Sequence, residues 1–238
     1  MKSLFKEAFT YKESQCTLIC DRQDGIEAAK NAIMRNYTIL EEYLATNTRF
    51  GWSLRPVPVP KEPLICKLMA QAARKANVGP MAAVAGALAD IAVKGIIALG
   101  CEVAVVENGG EISAISNIPV DVALAAGEEP LSKKFGFRLT DFPIGVATSS
   151  GRFSHALSFG DAEAATVFCK TAALADAAAT AVGNIVKGEN VNSAIENGIE
   201  VSKAINSVEG TLIIYKGCVG TWGKIPQILK IDAASPNT

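Results

Sequence analysis

The stretch that most limits how this chain can fold is "MAAVAGALADIAVKGIIALG" (81–100), its longest apolar run. The length invites a membrane reading, but Asp90 and Lys94 are costly in hydrocarbon and stand one helical turn apart, the spacing of an ion pair. The run therefore reads as a helix buried inside a soluble fold, so its surroundings must supply apolar surface on most sides. With 238 residues, 49% of them hydrophobic, the chain can do this as one domain over 1–238.

Around that run the periodicity changes. Residues 8–21 read as one strand or a tight hairpin. Asp24 is expected to cap a helix whose apolar positions Ile26, Ala29, Ile33, Tyr37, Leu40 and Leu44 recur at threes and fours. Four prolines make "NTRFGWSLRPVPVPKEP" (47–63) a loop. A helix follows from about Pro63 to Asn77, and Gly79-Pro80 opens the apolar helix, which stops at Gly100. The centre is β-rich: "CEVAVVEN", "EISAIS", "VDVALAAG" and "FPIGVATSS", with a polar loop at 127–137. "AEAATVFCK" adds a strand, helices are expected at 171–184 and 190–206, and "TLIIYKGCVG" and "KIPQILKI" close the chain as strands. Strands in blocks and helices in pairs predict an α+β fold with a mostly antiparallel sheet. No internal repeat is expected.

Charge excludes some functions. With 23 basic and 24 acidic residues the net charge is −1, so no global field recruits nucleic acid or an anionic membrane. The N-terminus "MKSLFKEAFTYKESQC" interrupts its apolar residues with charges, unlike a secretory signal, and six cysteines without such a signal predict a reducing cytoplasm. Cys16 and Cys20, four residues apart on a strand and so roughly 13 Å apart, read as two residues on one strand face, not as a disulfide.

The candidate chemistry is concentrated in three stretches. In "TAALADAAATAVGN" (171–184) Asp176 and Thr180 stand four apart on one helical face, where both can reach one hard cation or a phosphate-bearing ligand. Alone the pair is equally an ordinary polar edge. In "VVENGGEISAI" (105–115), Asn108, Gly109, Gly110 and Glu111 form a turn whose amides can face a ligand, or a plain hairpin. In "VATSSGRFSHALSFGD" (146–161), Thr148, Ser149, Ser150 and Gly151 offer hydroxyls and amides to an anion, followed by His155, the single histidine. One histidine cannot build a multi-histidine metal site. No Gly-x-Ser-x-Gly elbow, Gly-x-Gly-x-x-Gly or Walker loop occurs.

Together, "ANVGPMAAVAGALAD", "VVENGGEI", "VATSSG", "SHALSFGDA" and "TAALADAAATAVGN", in this order, resemble the UPF0280 family, a branch of the ApbE-like superfamily. The resemblance implies a T-fold-like architecture. In the superfamily's flavin transferases FAD is bound, and FMN is moved to a protein threonine with Mg²⁺ held by an Ala-Asp-Ala-x-x-Thr helix. Here that motif is "ADAAAT", which makes Asp176 and Thr180 the implied metal ligands, together with the carbonyl of Ala172 or Ala173. The Gly-Gly-acid element falls on Gly109, Gly110 and Glu111, and the Ser-His pair on Ser154 and His155. Glu111 in place of the usual Asp, and "ALSFG" after His155, argue against an intact FAD or FMN pocket.

In methanogenic archaea the family is associated with sulfide assimilation into homocysteine. A sulfur carrier would need a thiolate, and Cys218 in "YKGCVGTW" is the candidate, although a small residue at a strand end is the plainer reading. Three readings follow. The first is a cytoplasmic protein of sulfur assimilation binding a small anionic ligand, with Mg²⁺. The second is a flavin-handling enzyme with His155 as base. The third is a non-enzymatic homo-oligomeric partner that closes its sheet edges by association.

Overall fold

The computed structural model describes residues 3–123, 135–150 and 160–230. Its first half opens with the hairpin β1 (Phe5–Tyr11) and β2 (Ser14–Cys20), whose turn takes Lys12 at φ 52°. Helix α1 (Gln23–Thr46) follows, then α2 (Thr48–Trp52), α3 (Leu64–Ala76), a 3₁₀ turn (Pro80–Ala83) and α4 (Val84–Ile97). The hairpin β3 (Val103–Asn108) and β4 (Glu111–Ser116) ends this half. The second half repeats the order: hairpin β7 (Ile144–Ser149) and β8 (Ala164–Cys169), helices α5 (Ala172–Ile185) and α6 (Val191–Ala204), hairpin β9 (Val208–Tyr215) and β10 (Cys218–Gly223).

The two halves join edge to edge through β4 and β7, in antiparallel register Ile112↔Val146 and Ser113↔Gly145. One sheet results, ordered β1-β2-β3-β4-β7-β8-β9-β10. Strand alternation gives it two faces. Leu18, Cys20, Ala104 and Val106 pack under α1 and α4, and Ala147 and Val167 under α3 and α5. The opposite face, with Val105, Ile112, Val146 and Phe168, meets Phe137 and Leu139 of a three-stranded sheet of β5 (Val120–Ala123), β6 (Phe135–Leu139) and β11 (Gln227–Lys230), ordered β11-β6-β5. Phe137 and Phe168 stand edge to face, with centroids 5.0 Å apart.

The α+β class and the antiparallel pairing agree with the sequence, and several details differ. Asp24 lies inside the first turn of α1, where its carboxylate pairs with Arg22 and takes the Gly25 amide, and the N-cap itself is Arg22, whose side chain makes no cap bond. The proline-rich loop holds α2, because Phe50 finds a buried position against Tyr43. Phe135–Leu139 is a strand, where the sequence reads as a polar loop to 137, because two of its apolar residues are buried by the large sheet. Val120–Ala123 of "VDVALAAG" and Gln227–Lys230 of "KIPQILKI" flank that strand in a separate sheet. Asp90 of the expected Asp90–Lys94 pair is buried and turns its carboxylate to another helix, with the Lys94 charge still acting on it. The stretch Pro80–Ile97 is long and apolar enough to cross a membrane, but 56% of it is buried inside the fold.

Close approach of α4, α5 and β7 depends on missing side chains. A Cβ on Gly86 would come within 2.3 Å of the Ala172 carbonyl oxygen, whereas one on Gly95 of the same helix would meet Ala32 at an ordinary 3.7 Å. Gly86→Ala is therefore expected to cost about 1–3 kcal/mol through overpacking. Gly95→Ala should be neutral or stabilise by up to about 1 kcal/mol through helix propensity. Urea unfolding of the two variants checks the contrast.

Candidate functional site

Helices α4 and α5 begin beside one another, and neither has a side-chain cap of its own. The first amides of a helix lack internal partners and carry partial positive charge. Here each helix supplies the other's cap. Asp90 of α4 accepts from the Ala172 and Ala173 amides at 2.9 and 3.0 Å, while Asp176 of α5 accepts from Gly86 at 3.0 Å and also from the Ala85 amide. Ser113 of β4 donates its hydroxyl to Asp90 at 2.7 Å. The exchange is written in a short echo, Gly-Ala-Leu-Ala-Asp at 86–90 and Ala-Ala-Leu-Ala-Asp at 172–176. That repeat is the signal for Asp90, which sequence reasoning paired with Lys94.

The remaining site geometry follows from alternation. On α5, every residue is buried except the exposed Ile185 at its end and a stripe of Asp176, Thr180 and Asn184, four apart, which keeps partial access to solvent. On β4, Glu111 shares the helix-facing side with Ser113, and the Asp176 charge acts on it. On β7, Ser149 faces α5 so closely that a Cβ on Gly183 would lie 2.9 Å from its Oγ. The hydroxyl of Ser150, at the end of β7, is buried without a hydrogen-bond partner among the described residues.

Other predicted residues do different work. Thr148 points to the opposite face of the sheet and pairs with Thr166 at 2.9 Å, so it stands apart from Asp176. Asn108 is spent on structure, donating to the Ala85 carbonyl at 3.2 Å and accepting from the Cys16 thiol at 3.4 Å. The turn amides are also engaged, Gly109 to the Gln15 carbonyl and Gly110 to the Glu107 carboxylate, each at 2.9 Å. The turn thus delivers Glu111 to the site and keeps its own N–H groups, because the chain must close β3 onto β4 with Gly109 and Gly110 at φ 68° and 112°. The Ala172 carbonyl, one of the implied metal ligands, packs against Gly86. Gly151 and His155, with Ser154, lie outside the described residues. Cys218 is exposed at the start of β10, three strands from β7 and so roughly 14 Å away across the sheet.

The electrostatics centre on three carboxylates. Burial pushes Asp176 up to about 7, with the Asp90 charge adding to it and the Gly86 and Ala85 amides opposing it. Burial, then the Asp176 charge, hold Glu111 well above the usual carboxylate range. Asp90 is also raised by burial, less so because two amides and Ser113 favour its anion. Asp176, Glu111 and the Thr180 hydroxyl are hard oxygen donors, and the Asp176 charge, after burial, raises the proton affinity of Glu111. This donor set suits Mg²⁺ better than a soft metal.

Two consequences are measurable. Asp90→Ala removes two charge-assisted amide bonds at roughly 1.5–3 kcal/mol each, so urea unfolding should show a loss of about 3 kcal/mol or more. Second, a carboxylate raised in the folded state keeps a proton that the unfolded chain has already released above about pH 4. The unfolded state then binds fewer protons, and stability of the chelator-treated protein should fall as pH rises from about 4 to 7. Thermal melts across that range should be flatter for Asp176→Asn.

A family model described as AbpE bacteria matches residues 4–204. A UPF0280 protein of Methanococcus maripaludis strain C5 is 40% identical over 233 residues, covering 96% of this chain and 94% of its own. One from Methanocaldococcus jannaschii is 39% identical with the same coverage, and one from Methanosarcina acetivorans is 36% identical, covering 98% and 92%. Among solved structures, the ApbE protein of Thermotoga maritima superposes with a TM-score of 0.54 at 12% identity, covering 96% of this chain and 97% of its own. The apo flavinyl transferase ApbE of Pseudomonas stutzeri gives 0.52 at 15% identity, covering 92% and 94%. At these identities the structural likeness establishes the fold alone.

Proposed function

The chain belongs to the UPF0280 family of ApbE-like proteins, and on that premise we propose that it binds a phosphate-bearing small molecule of the flavin nucleotide class through Mg²⁺ at Asp176, Thr180 and Glu111. The observation that carries this reading is the partly open stripe of α5, which presents a carboxylate and a hydroxyl on one face, with the carboxylate's charge acting on Glu111, a second carboxylate already raised by burial. A divalent ion there would neutralise a pyrophosphate. The chain's own part is to hold the donors still. The α4 amides fix the Asp176 carboxylate, the Gly-Gly turn places Glu111, and alanine packing leaves α5 no room to shift.

Flavinyl transfer is the activity this reading leads to, since the structural neighbours include the flavinyl transferase ApbE of Pseudomonas stutzeri. Ser149 and Ser150, at the end of β7, are the hydroxyls nearest in the chain to the segment that contains His155. An unpartnered buried hydroxyl at Ser150 suits a ligand oxygen. The test is calorimetric titration of the reduced protein with FAD, with and without Mg²⁺. Metal-dependent binding, lost in Asp176→Ala and weakened about 10-fold or more in Thr180→Val, supports the proposal. Absence of FAD binding with Mg²⁺ present defeats it.

Sulfide assimilation is a second reading, favoured by one observation, the solvent exposure of Cys218 while the other five cysteines are buried. Cells carrying Cys218→Ser should then grow more slowly at limiting sulfide, and unimpaired growth removes the thiol from the proposal.

A further inference from the structure

Five buried cysteines are unused by the site above, and two of them meet. Cys20 ends β2 and Cys101 lies between α4 and β3, brought together because β2 pairs with β3 at Cys20↔Ala104. Their sulfurs and a carboxylate oxygen of Asp21 all lie within 4.8 Å of one another. Both cysteines are buried, and Asp21 keeps partial access to solvent. We propose that Cys20, Asp21 and Cys101 form a site for a thiolate-preferring divalent metal ion of the Zn²⁺ class, separate from the hard-oxygen site on α5.

The separations fit such an ion. With a Zn–S bond near 2.3 Å and a Zn–O bond near 2.1 Å, a sulfur and a carboxylate oxygen on one tetrahedral ion stand roughly 3.6 Å apart. Cys20 Sγ lies 3.8 Å from Asp21 Oδ1. The carboxylate is aimed from outside the cluster, accepting from the Glu102 amide at 3.2 Å and the Val103 amide at 3.3 Å, the kind of support that orients metal ligands. Space around the sulfurs is kept by Gly25 in the first turn of α1. A Cβ there would lie 2.4 Å from Cys20 Sγ and 3.2 Å from Cys101 Sγ. Three ligands leave the fourth position to water from the Asp21 side.

Burial pushes the Cys20 thiol up to about 12, so it is a poor nucleophile for disulfide exchange near neutrality. Ligation then breaks two S–H bonds and releases two protons to the buffer, while Asp21 enters as the carboxylate. With a divalent ion the cluster carries one net negative charge, next to the N-terminal amides of α1. Bound metal would tie the β2–α1 junction to the α4–β3 junction.

The test is titration of the reduced full-length protein with Co²⁺, followed by displacement with Zn²⁺. The expected result is one equivalent bound with a near-ultraviolet thiolate-to-cobalt band, abolished by Zn²⁺ and by Cys20→Ser or Cys101→Ser. It should persist in Asp176→Ala. Asp21→Asn keeps both thiols and an acceptor for one amide, and should weaken Co²⁺ binding at least about 10-fold. Circular dichroism of the metal-free variants separates lost ligation from lost folding, and Zn²⁺ should raise the melting temperature of the parent but not of folded Cys101→Ser. Absence of the band at excess Co²⁺, or its survival in both cysteine variants, overturns the proposal.

Discussion

The fold depends on two aspartates that exchange helix ends. Helices α4 and α5 each start without a capping side chain, a deficit worth about 1 kcal/mol apiece in an ordinary helix. Asp90 and Asp176 make it up across the helix–helix contact, each taking amides of the other helix. Neither helix can shift along its axis without uncapping both. Because α4 leads into β3–β4 and α5 follows β7–β8, the exchange also clamps the two halves where β4 meets β7.

That clamp explains the composition around it. Amides and carboxylates can meet only if the helix backbones nearly touch, which needs glycine at 86 and a run of alanines on α5, while glycine at 145 lets β7 approach the start of α5. Larger apolar residues would stabilise each helix face separately and push the two ends apart. The cost is a group of carboxylates with little water around them, each raised above its normal proton affinity. Asp90 has three donors and is structurally satisfied. Asp176 takes amides of α4, keeps partial access to solvent and acts on a neighbouring acid, so the same arrangement that builds the fold leaves this carboxylate less enclosed than Asp90.

The two candidate metal sites differ in how they are made. At α5 the donors are oxygens, arranged by one helix face and one tight turn. At the β2–α1 junction they include two sulfurs, separated by 81 positions in the chain and joined by strand pairing. Hard and soft donors select different ions, so the two proposed sites would not compete for one ion.

Periodicity determined the helix faces, the antiparallel hairpins and the α+β class, since these are local consequences of 3.6- and 2-residue repeats. The spacing of Asp176 and Thr180 and their common face were equally local. Strand Phe135–Leu139 was not legible, because its apolar content has meaning only against the large sheet that covers it. Nor was the separation of Thr148 from Ser149, which depends on which face of β7 the helices take. The true partners of Asp90, and the meeting of Cys20 with Cys101, were decided by tertiary structure alone. Both join residues about eighty positions apart, a distance over which no local propensity acts and only packing and strand register select the neighbour.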